Sequence, residues 1–161
     1  MKIKTLVVNS ILAALYIAVT GIIAPFGFTH IQFRVSEMFN HLVVFNKKYI
    51  FGIVIGVFIS NLLFSILLPY DLIFGVAHSI IALSLTIFSA KYIKGIWQRM
   101  LFNTIIFSFL MFIIAFELNL ALGWPFFFTW LTTAISELVV MGIGIPVMIA
   151  LNKRINFKDM I

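Results

Sequence analysis

The sequence of 161 residues contains no cysteine, and only 10% of its residues are charged. The absence of cysteine excludes disulfide bonds, thiolate metal ligands and cysteine nucleophiles. Soluble domains carry about 25% charged and about 45–50% apolar residues, whereas 63% of this chain is hydrophobic. So much apolar surface cannot be buried by a water-soluble domain of this length, and disordered chains are poor in hydrophobic residues. The composition therefore predicts a protein embedded in the lipid bilayer.

Sequence motifs of the common enzyme classes are also missing. The chain has no phosphate-binding loop of the Gly-x-x-x-x-Gly-Lys-Ser/Thr type, so ATP hydrolysis by that route is excluded. It has neither a His-Glu-x-x-His nor a Gly-x-Ser-x-Gly motif. We therefore expect no enzymatic activity, no metal and no cofactor. Uptake by such a protein would draw its energy from an ion gradient or from a partner.

Six apolar segments predict an all-α membrane protein, a six-helix transmembrane bundle that forms one integral membrane domain over residues 1–161. The second segment is short, because about 12 helical residues rise only about 18 Å against a hydrocarbon core of about 30 Å. Residues 27–33 would then cross part of the bilayer as non-helical backbone, which is tolerated only within protein or beside a polar cavity. Short, interrupted segments are typical of transporter binding sites. The predicted spans cover residues 6–26, 35–46, 49–68, 72–90, 96–120 and 125–151.

The positions of the basic residues predict the orientation of the bundle. All of them except Arg34 lie before the first span, between spans two and three, between span four and the first turn of span five, or after span six. Six crossings place these four regions on one side of the membrane. The excess of positive charge then predicts that both termini are cytoplasmic. The net charge of +6 is thereby explained by topology, without nucleic-acid binding.

Polar residues within the apolar spans define a candidate pocket. Ionisable side chains in a membrane are costly and generally functional. By helical rise they lie mainly in the outer half of the bilayer, while the inner half is nearly free of them. This distribution predicts a pocket open to the exterior above an apolar floor, and not a continuous ion path. The candidate substrate-binding residues are Arg34, Glu37, Asn61, His78, Glu117, Trp130 and Glu137.

Several of these polar residues also have purely structural explanations. Arg34 and Glu37, three positions apart, share a helix face and could simply pair with each other. Asp71 at the outer turn is expected to be a helix N-cap. His78 is expected to form an interhelical hydrogen bond more often than a ligand contact. Glu117 could lie in the outer headgroup zone.

Glu137 is the hardest to explain structurally, because an isolated carboxylate near the middle of the membrane needs a partner or a proton. Trp130 lies seven residues before it and shares its helix face. A tryptophan above a carboxylate suits a planar ligand that donates hydrogen bonds. A second tryptophan, Trp124, also lies near the outer interface. Anchoring in the interfacial aromatic belt explains it as well as contact with a ligand does.

Two patterns of small residues predict close helix contacts. The first span contains Ala-x-x-x-Ala at Ala14 and Ala18, and the third contains Gly-x-x-x-Gly at Gly52 and Gly56. Small residues four positions apart allow a second helix to approach closely. The sequence alone does not indicate which helix approaches.

The layout of six short spans with cytoplasmic termini and the Ala-x-x-x-Ala motif resembles the substrate-binding S-component of an energy-coupling factor (ECF) transporter. Within that group, residues 30–37 closely resemble the signature segment of the QueT family of queuosine-precursor transporters; their sequence is HIQFRVSE. This resemblance implies a cell-membrane protein of a bacterium of Gram-positive type that binds a 7-deazaguanine base. It further implies a transmembrane T-component and two ATPase subunits as partners. Ala14 and Ala18 would contact the T-component, and toppling of the S-component would deliver the ligand to the cytoplasm.

The chemistry of such a base fits the candidate residues. A carboxylate can accept both donors of the guanine edge, Arg34 can donate to the 6-oxo group, and an aminomethyl cation needs a second carboxylate. An aromatic ring can stack on the base. The resulting assignment gives the guanine edge to Glu137 or Glu37, the amine to Glu117, and the remaining wall to Asn61, His78 and Trp130.

Three alternatives remain open on the sequence. The chain could be an S-component for a vitamin such as riboflavin, biotin or thiamine. It could be a stand-alone proton-coupled carrier with Glu137 as the proton relay. It could also be a small intramembrane enzyme, although the missing motifs argue against this.

Overall fold

The computed structural model describes residues 3–27 and 33–161, and over these ranges the chain is helical without any strand. A 3-10 helix at Val35–His41, here called the short 3-10 helix, follows the first long helix, and a 3-10 turn at Lys47–Tyr49 precedes the third α-helix. The α-helices are α1 (Ile3–Gly27), α2 (Leu42–Phe45), α3 (Ile50–Phe64), α4 (Tyr70–Ser89), α5 (Ile96–Leu110), α6 (Phe112–Leu122) and α7 (Phe126–Ile155).

Among the described residues, five helical stretches are long and apolar enough to cross a membrane, as expected for a multi-pass membrane protein. They are Ile3–Ala24, Lys47–Phe64, Tyr70–Ser89, Ile96–Leu122 and Phe126–Ile155. The second predicted span differs from these, since it consists of the short 3-10 helix and the single turn of α2. The all-α membrane fold with a short second helical segment is therefore confirmed. The predicted non-helical descent through residues 27–33 falls almost entirely outside the described residues.

The fifth predicted span is interrupted at Met111, which separates α5 from α6. The Met111 N–H donates to the Ser108 carbonyl three residues earlier, at 3.3 Å, which tightens the backbone at this point. Such a break leaves carbonyl groups without their helical donors. The Phe109 carbonyl instead accepts the indole N–H of Trp130 from α7, at 3.0 Å. A neighbouring helix thus compensates for the break within the membrane.

Helices α1 and α3 pack closely along the Gly-x-x-x-Gly pattern. A Cβ atom on Gly52 would lie 2.7 Å from the backbone oxygen of Asn9, and one on Gly56 would lie 2.8 Å from the Cβ atom of Tyr16. The N–H of Gly52 donates to the Asn9 side-chain oxygen at 2.8 Å. This N–H lies in the first turn of α3, where side-chain acceptors commonly satisfy backbone N–H groups. The glycine pattern therefore acts within the chain.

The alanine pattern of α1 faces outward instead. Ala14 and Ala18 are both exposed on the surface of the bundle. The two small-residue patterns look alike in the sequence. In the structure, however, the glycine pattern packs against α1 and the alanine pattern faces outward. Contact of Ala14 and Ala18 with a T-component stays a prediction.

The start of α1 and the segment after α7 lie at the same end of the bundle. The Lys4 ammonium donates to the Asp159 carbonyl oxygen at 2.9 Å. The Tyr49 hydroxyl, from the turn before α3, donates to the Phe157 carbonyl oxygen at 2.8 Å. This arrangement agrees with an even number of crossings. The assignment of this end to the cytoplasm rests on the basic residues and stays a prediction.

We expect Gly52→Ala to lower the thermal unfolding temperature by several degrees. The added methyl group would overlap the Asn9 backbone, and overpacking of this kind costs about 1–3 kcal/mol. Gly142→Ala is the matched control, since a Cβ atom at Gly142 meets nothing within 4 Å. The control should retain the wild-type melting temperature or exceed it slightly, because alanine favours the helix. Equal melting of the two variants in detergent would contradict the close α1–α3 contact.

Candidate functional site

Buried charged side chains gather around Arg34, which directly precedes the short 3-10 helix. Its Nη2 atom lies 3.4 Å from Oδ1 of Asp71 in α4, and the two side chains are only 10% and 3% exposed. Electrostatic interactions also connect Arg34 with Glu37, with Glu117 of α6 and with Glu137 of α7. Within the described part of the chain, one carboxyl group thus contacts this guanidinium, and three more from three other elements lie within electrostatic range of it. We call this set the carboxylate cluster.

Glu37 is the member of the cluster with the most complete hydrogen bonding. The Tyr16 hydroxyl of α1 donates to its Oε1 atom at 2.9 Å. The side-chain amide of Asn40, one turn further along, donates to its Oε2 atom. These two bonds hold the carboxylate in one orientation and fasten the short 3-10 helix to α1.

Glu117 and Glu137 are buried in a different way. Counting only partners among residues 3–27 and 33–161, both carboxylate oxygens of Glu117 and the Oε1 atom of Glu137 accept no hydrogen bond. Both side chains are almost completely shielded from solvent. A buried carboxylate without a donor is strongly unfavourable, so it needs a proton or a donor from outside these residues, such as a ligand. These two acids are therefore the parts of the cluster best suited to bind an external group.

The prediction that Asp71 is a helix N-cap is wrong. Helix α4 begins at Tyr70, and its cap residue Pro69 makes no side-chain cap. The Asp71 carboxylate instead points inward, where it pairs with Arg34 and accepts a hydrogen bond from the Ser65 hydroxyl. The sequence did contain a signal, since Arg34 was the one base expected in the outer half and needed a counter-ion. Which of several acids would supply it was not apparent.

Asn61 lies beside this ion pair. Its side-chain amide donates to the Asp71 backbone carbonyl at 2.9 Å. The approach depends on Gly75 of α4, where a Cβ atom would lie 2.6 Å from the Asn61 amide nitrogen. The same Cβ atom would lie 3.9 Å from Nη1 of Arg34. The structure therefore brings Asn61 and Arg34 together at this face of α4.

His78 forms the interhelical hydrogen bond that was expected as its structural explanation. Its Nε2 atom lies 3.2 Å from the Phe107 carbonyl oxygen of α5, and its ring packs edge-on against the Phe107 ring. It also interacts electrostatically with Arg34. His78 thus borders the carboxylate cluster while joining α4 to α5.

Trp130 is the candidate residue that the structure places elsewhere. Its indole N–H is bonded to the Phe109 carbonyl, and its ring packs against Phe109, Phe112 and Phe126 with centroid separations of 5.8, 6.3 and 6.1 Å. The seven-residue spacing from Glu137 indicated a common helix face, but the side chain turns towards the break between α5 and α6. That break could not be read from the sequence.

The region beneath the cluster is more polar than predicted. His41, one turn after Glu37, lies 2.9 Å from the Met141 carbonyl oxygen through Nε2 and 3.2 Å from the Asn103 side-chain amide through Nδ1. The Thr86 hydroxyl donates to Asn103 at 2.6 Å. The expectation of a floor without polar groups is wrong here. Asn103 bonds to both Thr86 and His41, so the three side chains join α4, α5 and the short 3-10 helix into one support.

Comparison with known proteins provides the family relationship. Residues 6–153 match the profile of the QueT transporter family. The chain is also 37% identical over 166 aligned positions to the Queuosine precursor transporter QueT of Lactococcus lactis subsp. cremoris strain MG1363. That alignment covers 98% of this chain and 97% of the relative. No solved structure is significantly similar to the chain.

The contrast between Glu117 and Glu37 predicts stability changes of opposite sign. Glu117→Gln should raise the melting temperature of the ligand-free protein by several degrees, because it replaces a buried acid that accepts no hydrogen bond from the described residues with a neutral amide. Glu37→Gln should lower it, because an amide cannot accept from both Tyr16 and Asn40 as the carboxylate does. The two substitutions are chemically identical, so a difference in sign reports the environment alone. A decrease of similar size in both variants would contradict this description of the cluster.

Proposed function

The chain belongs to the QueT transporter family, and we propose that it is the substrate-binding S-component of an ECF importer for a queuosine precursor, a 7-deazaguanine base. The family resemblance of residues 30–37 is confirmed by this membership. The function is transport and not catalysis, as the missing enzyme motifs predict. The single observation that carries the proposed ligand is the buried carboxylate cluster around Arg34.

The hydrogen bonding of the cluster supports a more specific assignment of the guanine edge. Glu37 already accepts bonds from Tyr16 and Asn40. Glu137 offers a buried oxygen to which no residue in the described part of the chain donates. The adjacent N–H groups of a guanine edge suit a carboxylate with open acceptor sites. We therefore assign this edge to Glu137, with Arg34 donating to the 6-oxo group.

The charge balance of the cluster favours a cationic ligand. Four carboxyl groups share one described guanidinium, so the described residues do not supply a cation for each of them. Uncompensated charge is costly in a low-dielectric interior, so a cation that enters the cluster is stabilised there. Glu117 interacts with both Asp71 and Arg34, and none of the described residues donates a hydrogen bond to its carboxyl oxygens. It is suited to the ammonium of an aminomethyl substituent, which favours this form of the base over the neutral cyano form.

The exposed alanine face of α1 supports the proposed partners. Ala14 and Ala18 present small side chains to the outside of the bundle, where another membrane helix can approach closely. The T-component would occupy this face, and the two ATPases would supply the energy that this chain has no nucleotide motif to obtain. Toppling within the membrane would then release the base to the cytoplasm.

Binding measurements on the purified protein test the ligand. We expect 7-aminomethyl-7-deazaguanine to bind with micromolar or higher affinity, and Arg34→Ala or Glu137→Gln to weaken binding by at least about tenfold, the size of one lost charge-assisted hydrogen bond. Asp159→Asn, at the opposite end of the protein, should bind as the wild type does. Glu117→Gln should reduce the preference for the aminomethyl over the cyano base. Equal or tighter binding of riboflavin, biotin or thiamine would overturn the ligand.

A second candidate function is a stand-alone proton-coupled carrier that uses Glu137 as the relay. The polar chain of His41, Asn103 and Thr86 favours it, because proton movement needs polar groups in the inner half of the membrane. Liposomes that contain this chain alone separate the two functions. The S-component should bind the base without accumulating it, and uptake should appear only with a T-component, the ATPases and ATP. Accumulation driven by a proton gradient alone would establish the carrier.

A further inference from the structure

We propose that Asp71 is a positioning residue that holds the Arg34 guanidinium in place and thereby makes the protein select bases with a 6-oxo group. The selectivity rests on the proposed function, whereas the positioning of Arg34 does not. Arg34 belongs to the polypeptide just before the short 3-10 helix, and its long side chain has many rotamers to lose. A directed hydrogen bond to a ligand requires that one of these rotamers be fixed beforehand.

Asp71 is itself held rigidly at the corner between α3 and α4. The Ser65 hydroxyl donates to its Oδ2 atom, and the same hydroxyl oxygen accepts the Leu67 N–H at 2.9 Å. The Asn61 side chain binds the Asp71 backbone carbonyl at 2.9 Å. With the backbone and one carboxylate oxygen fixed in this way, Oδ1 is directed to Nη2 of Arg34.

The surface of α4 leaves space for this contact. Gly75 lies one turn after Asp71 on the same helix face. A Cβ atom there would overlap the Asn61 amide nitrogen at 2.6 Å. Glycine at this position therefore leaves room for the Asn61 amide, which bonds to Asp71 close to the Arg34 guanidinium.

Competition among the acids explains why this anchor matters. Arg34 is attracted by Glu37 and Glu117 as well as by Asp71, and Glu137 interacts with it too. Without Asp71 the guanidinium would move towards these carboxylates and occupy the acceptors intended for the base. Asp71 does not itself suit the 6-oxo group, because two acceptor oxygens repel each other. The Arg34 guanidinium, placed between the Asp71 carboxylate and the 6-oxo group, can donate a hydrogen bond to each of them.

The ligand-free protein tests the positioning directly. The melting temperatures of Asp71→Asn, Arg34→Gln and the double variant form a double-mutant cycle. We expect the two effects to be non-additive by about 3 °C or more, as for residues in contact within a buried pair. Additive effects would overturn the proposal that Asp71 holds Arg34.

Binding of two related bases tests the selectivity. 7-Deazaguanine and 7-deaza-6-thioguanine keep the same N–H donors, but sulfur is a weaker acceptor than oxygen. The wild type should prefer the oxo base by about tenfold. Asp71→Asn should reduce this ratio towards one, Ser65→Ala should reduce it partly, and the controls Asp159→Asn and Ser10→Ala should preserve it.

The outcomes separate the inference from the proposed function. If Asp71→Asn weakens both bases equally and keeps their ratio, Asp71 has only a structural role and the inference is overturned while the ligand stands. If the wild type binds neither base, the proposed ligand and the oxo selectivity both fail. The double-mutant cycle then still decides whether Asp71 positions Arg34.

Discussion

A guanidinium inside an apolar bundle must be neutralised by groups within a few ångströms, and this requirement organises the polar part of the protein. Arg34 meets it through Asp71 at 3.4 Å, with Glu37 and Glu117 as further opposite charges. Because these acids come from different elements, the position of Arg34 depends on how the short 3-10 helix, α4 and α6 pack together. The packing of these elements therefore determines the geometry of the site.

The carboxylates divide into two groups by hydrogen bonding. One group is held by the protein, and the other is left open to further donors. Glu37 and Asp71 receive donors from the protein and hold the short 3-10 helix and Arg34 in place. Glu117 and Glu137 keep oxygens without donors in the described structure. A site that fixes two acids and leaves two unsatisfied is suited to a ligand that brings both hydrogen-bond donors and positive charge.

Close backbone contact replaces hydrophobic burial as the source of specific packing in such a bundle. Apolar side chains are equally well solvated by lipid and by protein, so association depends on shape and on polar contacts. At Gly52 and Gly56, α3 approaches α1 as closely as the backbone allows. The same helix α1 exposes Ala14 and Ala18, so one face stabilises the protein while another remains accessible to a partner.

The sequence by itself determined the class of protein. Scarce charge and long apolar runs require a membrane, the short second segment was visible from its length, and residues 30–37 indicated the family. It also marked Arg34, Glu37, Glu117 and Glu137 as candidate site residues, because ionisable groups stand out where the surroundings are apolar.

Only the tertiary structure decided which of these groups meet. Asp71 turned from an expected helix cap into the partner of Arg34, and Trp130 turned away to cover the break at Met111. Helical spacing specifies the face on which a residue lies, whereas the direction of a long side chain is set by the unsatisfied donors and acceptors of neighbouring helices. Those neighbours are far apart in the sequence, so the pairing was not contained in any local pattern.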